Sequence, residues 1–228
     1  VRVAVVRFPG SNCDQDALHS LRDDLGIAAD YAWHEDRDLA GFDAVFLPGG
    51  FSYGDYLRCG AIASRAPILD EVRRFAREGR PVIGVCNGFQ VLCEAGLLPG
   101  ALMRNLSEKF VCKTVWLQAG NRSSLWTRGV PDRPIAIPIA HGEGRYLCDE
   151  DTLKRLQDRD LVAFRYVDRD GRRTPEANPN GSLDDIAGIL SEGGNVLGMM
   201  PHPERATNEL LGGTDGRTIL SALLAVRA

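Results

Sequence analysis

In the stretch Gly84-Val85-Cys86-Asn87-Gly88 an apolar run ends at a cysteine with a glycine two residues to either side, and a helical pattern follows at once. A strand that turns sharply into a helix with a reactive side chain at the corner is a nucleophile elbow, in which the strained turn lifts that side chain above the sheet edge. At the first turn of the helix the sulfur would face backbone N–H groups that lack intrahelical partners, and these favour a thiolate over a thiol. The chemistry then needs a base. Of the four histidines, His19 falls in an amphipathic helical pattern and His34 ends an apolar strand, so both read as structural or solvent-facing. His141 and His202 remain.

His202 stands between Pro201 and Pro203, directly after an apolar strand, with Glu204 two positions on. Residues i and i+2 of an extended segment point to the same side, so the Glu204 carboxylate can accept the second imidazole N–H and orient the ring. Cys86, His202 and Glu204 are therefore the candidate nucleophile, base and orienter. A third element is LPGGFSYGD, residues 47 to 55. Its adjacent glycines let backbone N–H groups approach a ligand closely, and the amides near Gly50 and Phe51, with that of Asn87, are suited to an oxyanion hole. The aromatic continuation reads as a covering loop or a partner surface. Two His-x-Glu pairs, His141 with Glu143 and His202 with Glu204, would also suit zinc, but that reading leaves the cysteine without a purpose, so no metal is expected.

The elements that must position these groups alternate. VRVAVVRF, ADYAWH, DAVFLPGG and RPVIGV read as strands, with helices over DQDALHSLRDDLG, which places Ala17, Leu18, Leu21 and Leu25 on one stripe, and PILDEVRRFAREG, closed by Gly79. Asn12 or Ser11 is the expected cap of the first helix, with Asp14 and Asp16 in its first turn. Alternation of this kind predicts an α/β fold with a mostly parallel sheet and helices on both faces. Right-handed crossovers bring the carboxyl ends of the strands, and with them FPGSN, LPGGFSYGD and GVCNGF, to one edge. Beyond residue 102 the pattern is richer in strands, some antiparallel: FVCKTVWLQ, PIAIPIAH, LVAFRYVD, IAGILS and NVLGMM. Residues 169 to 185 read as a long polar loop. A closing helix is expected over residues 214 to 228, capped by Thr214 or Asp215, with Ile219, Leu220, Leu223 and Leu224 as its apolar face.

The 228 residues suit one domain, 1-228. A net charge of -4 supplies no basic footprint for nucleic acid or an anionic membrane. The six cysteines form no CxxC pair, and no apolar run reaches the roughly 18 residues of a membrane span, so the expected compartment is the reducing cytoplasm.

LPGGFSYGDYLRCGAIA, GVCNGFQ, NLSEKF, HGEGRY and NPNGSLDDIAGI running into GNVLGMMPHPE agree in order and spacing with one family, over essentially the full chain. The sequence resembles the class I glutamine amidotransferases. That resemblance implies a flavodoxin-like open sheet and a Cys86, His202, Glu204 triad that releases ammonia from glutamine through a thioester. It also implies that Gln90, one turn beyond Cys86, contacts the backbone end of the substrate. The ammonia would pass to a separate synthetase chain, which activates a formylglycinamide ribonucleotide with ATP and Mg2+ in purine biosynthesis, and a small third subunit would complete the complex. No cofactor is expected in this chain, which has no GxxxxGK[ST] phosphate loop. His141, Glu143 and Arg145 are expected to contact the partner, line the ammonia route or cap strands, and the segment RNLSEKF either contributes glutamine contacts through Ser107, Phe110 or backbone groups, as the resemblance implies, or is a β-turn leading into FVCKTVW.

Overall fold

The computed structural model describes residues 1–226. In chain order the elements are β1 (Arg2–Arg7), α1 (Asp14–His19), β2 (Ala28–Trp33), β3 (Ala44–Leu47), α2 (Ile68–Arg77), β4 (Val82–Val85), α3 (Asn87–Glu94), β5 (Ala101–Met103) and β6 (Val111–Ala119). They continue with β7 (Ile135–His141), β8 (Arg145–Leu147), α4 (Glu150–Asp158), β9 (Val162–Val167), β10 (Ile186–Leu190), β11 (Val196–Met199) and α5 (Arg217–Leu220). Nine strands form one sheet in the order β2-β1-β3-β4-β11-β10-β9-β6-β7, and β5 pairs with β8 in a small separate ribbon. The half from β2 to β11 is parallel and the half from β11 to β7 antiparallel.

Burial explains both halves. Val3 to Val6, Ala44 to Leu47 and Val82 to Val85 are buried throughout, as expected of parallel strands covered by helices on both faces. In β7 burial alternates: Ile135, Ile137, Ile139 and His141 are buried while the residues between them are half-exposed. That period of two places His141 on the core face. β7 is the edge strand, which is why it tolerates Pro138, a residue with no N–H to donate to a further strand.

Several local expectations are corrected. Neither Ser11 nor Asn12 caps α1: Ser11 bonds back to Phe8, the cap position is Cys13 without a side-chain bond, and Asp14 is buried against Arg7 at 2.9 Å. The helix then widens into a π-turn over Ser20–Asp24. The closing helix shrinks to α5 and a 3-10 turn, Ser221–Ala225, leaving Leu224 exposed, and residues 227 and 228 lie outside the described residues. Neither Thr214 nor Asp215 caps it with a side chain, because the Asp215 carboxylate is spent on Arg133 and the Ala136 amide. Helix α4 has no counterpart among the sequence expectations. Only Leu156 of it is buried, so it lacks a strong apolar stripe, and its signal was Asp149, whose side chain accepts from the Thr152 amide at 2.7 Å.

Candidate active site

The parallel half of the sheet follows the order β2-β1-β3-β4, reversing direction between β1 and β3, and the crevice at the carboxyl ends beside such a reversal is where open α/β sheets bind ligands. Cys86 stands at that edge with φ 52° and ψ −108°, a conformation that a non-glycine residue rarely adopts. Its amide donates to the Met199 carbonyl at 2.8 Å. Because β11 runs parallel to β4 with Met199 level with Val85, the chain leaves β11 at the height of the elbow and reaches His202 three residues later. The His202 amide is fixed on the Pro138 carbonyl at 2.8 Å.

Gly49 shows how closely the two groups meet. A β-carbon there would lie 2.8 Å from His202 Cε1, 3.2 Å from Cys86 Cβ and 3.3 Å from Cys13 Sγ, so only glycine leaves room for the ring and the two cysteine side chains around it. Glu204 Oε1 accepts from His202 Nδ1 at 2.6 Å, and both side chains are buried. That bond leaves Nε2 as the ring nitrogen without a hydrogen-bond partner. Burial works against a charged His202, but the Glu204 carboxylate and then the Cys86 sulfur outweigh it and raise its pKa.

A cleft of about 350 Å³ opens here, lined among others by Cys86, His202, Gly50, Phe51, Gln90 and His141. The amides of Gly50 and Asn87 have no acceptor among the described residues, whereas that of Phe51 donates to the Gly10 carbonyl at 3.3 Å. Gln90 is held at both ends: its Oε1 accepts from Asn87 Nδ2 at 2.9 Å and its Nε2 donates to the Glu143 carbonyl at 2.7 Å. Ser107 lies outside this cleft and Phe110 lines it. Arg145 is tied to the Gly181 carbonyl at 3.1 Å, a structural anchor.

Other residues of this region escaped the sequence expectations. Asn105 Nδ2 donates to the carbonyls of His141 and Lys109, and its Oδ1 accepts from Gly144 and faces His141 Nδ1 at 3.0 Å. Asp55 and Cys13 line the cleft, and Arg205 links Cys13 to Asp16. The signal for Asn105 was its place in NLSEKF, but nothing local says which polar residue of that segment is buried. Burial, then Asp55 and Glu143, raise the Cys59 pKa, and burial pushes Cys13 up to about 12, so both remain thiols. No group of three or more metal-binding side chains occurs among the described residues.

Burial lowers His141 to about 4, with His202 adding to the effect. Between that value and the ordinary histidine value near 6.5 the unfolded chain binds the extra proton, so stability falls as pH drops through this window. The loss amounts to about 3 kcal/mol at its acid end. The His202 shift has the opposite sign and acts at higher pH. In a denaturation series from pH 7 to 4, His141→Gln is expected to flatten most of this slope, and an unchanged slope would refute the assignment.

Residues 1–213 match the CobB/CobQ-like glutamine amidotransferase domain, and the chain belongs to that family. It is similar to a chain of the PurLQS structure from Thermotoga maritima, with 45% identity, a TM-score of 0.86, and coverage of 98% of this chain and 97% of that one. A GMP synthase protein described as putative, from Thermoplasma acidophilum, has 15% identity and a TM-score of 0.63 over 99% and 93% of the two chains. A Thermotoga maritima glutamine amidotransferase has 17% identity and a TM-score of 0.55 over 90% and 76%. The last two show the fold alone. No helix among the described residues is long and apolar enough to cross a membrane.

Proposed function

We propose that this chain hydrolyses glutamine to glutamate and ammonia with Cys86 as nucleophile, His202 as acid and base, and Glu204 as orienter. It serves phosphoribosylformylglycinamidine synthase as its glutamine amidotransferase subunit. The observation that carries the reading is the His202–Glu204 bond of 2.6 Å beside a cysteine at φ 52°, in a chain 45% identical to one of PurLQS. Cys86 yields its proton to His202 and attacks the side-chain carbonyl carbon. The oxyanion develops toward the free amides of Gly50 and Asn87, and Phe51 joins them only if its bond to Gly10 opens. His202 returns the proton to the leaving nitrogen, ammonia departs, and water activated by the same ring releases glutamate from the thioester. The contact of Gln90 with the substrate requires it to share the groups now bonded to Asn87 and Glu143.

The ammonia passes to a synthetase subunit that carries ATP and Mg2+ and converts formylglycinamide ribonucleotide to the amidine, with a small third subunit in the complex and the cytoplasm as its compartment. Exposed Phe51, Tyr56 and Leu57 on the loop over the cleft, and Phe110 at its wall, support a partner covering this face. Treatment of the protein, with its synthetase, with an electrophilic glutamine analogue is expected to give one adduct by peptide mass spectrometry, on Cys86, and none in Cys86→Ala. Cys13 and Cys59 line the same cleft but are held as thiols, so label shared among the three would remove the case for a single activated sulfur.

A further inference from the structure

His141 lines the cleft beside Cys86, is 3% exposed, and has a ring nitrogen, Nε2, buried without a hydrogen-bond partner. Its tautomer follows from its neighbour. Asn105 Nδ2 is committed to two carbonyls, those of Lys109 and His141, and Asn105 Oδ1 accepts from the Gly144 amide, so the orientation of the Asn105 amide is determined. The atom facing His141 Nδ1 at 3.0 Å is therefore an acceptor, Nδ1 carries the hydrogen, and Nε2 holds a bare lone pair. The Nδ1 edge is turned to Asn105, which leaves Nε2 as the unpartnered ring nitrogen of a side chain that lines the cleft. A desolvated lone pair of this kind is costly until a donor arrives.

The cleft has a polarity that this lone pair completes. Free amides of Gly50 and Asn87 supply donors on one side, and the β7 side offers acceptors: the Ala140 carbonyl, 3.8 Å from Cys86 Sγ, and His141 Nε2. A carboxamide under attack needs both, donors for its oxygen and acceptors for its N–H groups.

Resting on the glutaminase reading above, we infer that His141 Nε2 accepts an N–H of the glutamine carboxamide as its nitrogen becomes ammonia, and so selects amides over esters. The step moves no proton to His141: the carbon–nitrogen bond breaks with its electron pair going to nitrogen, His202 supplies the proton, and His141 holds the leaving group by a hydrogen bond. Asn105 acts through His141 by holding the tautomer, and is a positioning residue.

The test compares glutamine with glutamate γ-methyl ester, whose leaving group has no N–H, in the protein assembled with its synthetase. His141→Phe, checked for folding by circular dichroism, is expected to lower kcat/KM for glutamine by about 50-fold and that for the ester by less than about fivefold. Equal losses on both substrates would overturn the inference, whereas a wild-type complex inactive on both would overturn the glutaminase reading itself. Should His141→Phe fail to fold, ring nitrogen-15 NMR of Cys86→Ala decides. A bare Nε2 whose signal moves with glutamine but not with the ester supports the inference, and a protonated or unresponsive Nε2 refutes it.

Discussion

Cys86→Ala is expected to abolish glutamine hydrolysis, a fall of about 10⁵-fold or more, while the thermal melt stays within a few degrees of the parent. The size follows from the proposed route, in which loss of the sulfur removes the thioester and leaves water to attack an unactivated amide. His202→Ala should cost nearly as much, and the double variant little more than either alone, because on the proposed route nucleophile and base act as one unit. Glu204→Gln should cost less, since it disturbs the orientation of His202 but leaves its Nε2 in place. Steady-state ammonia release measured with the synthetase present checks all four proteins. Additive losses across Cys86 and His202 would show that the two groups work in separate steps.

Gly88→Ala is expected to destabilise the fold by about 4 kcal/mol or more, or to prevent soluble expression. A β-carbon at Gly88 would sit 2.0 Å from the Leu47 carbonyl oxygen and 2.7 Å from its carbon, a clash with the backbone of a central strand that no rotamer relieves. The helix preference for alanine over glycine, about 1 kcal/mol, acts in the other direction and is too small to compensate. Denaturant unfolding gives the difference. A variant of near-parental stability would mean that α3 can lift away from β3, and would remove the reason for a glycine two residues past the elbow.

Much of the site was legible in the sequence because its parts are local. Cys86 announces itself by its place between an apolar strand and a helix; His202 and Glu204 were paired by an i, i+2 spacing read as extended, but Pro203–Arg205 forms a 3-10 turn, and it is this turn that brings Glu204 to the ring. The parallel half of the sheet was legible for the same reason: Val3 to Val6 and Val82 to Val85 are unbroken apolar runs. The failures occur where long-range partners decide. Ser11 and Asn12 have the chemistry of caps, but the chain uses Ser11 to brace Phe8. The Phe51 amide has the right address for an oxyanion hole, yet Gly10, from another loop, occupies it. Helix α4 is nearly all polar, and β5 and β8, three residues each, are too short to carry a period.

The amino-acid order by itself determined which strands are buried on both faces, where the chain must turn, and which side chains could act as nucleophile, base and orienter, because those properties depend on neighbours within a few residues. Only the tertiary structure decided that β11 lies beside β4, bringing His202 to Cys86 across Gly49, and that Asn105 fixes the tautomer of His141. Strand order and the direction of a buried lone pair are set by contacts between residues far apart in the chain, and no local pattern encodes them.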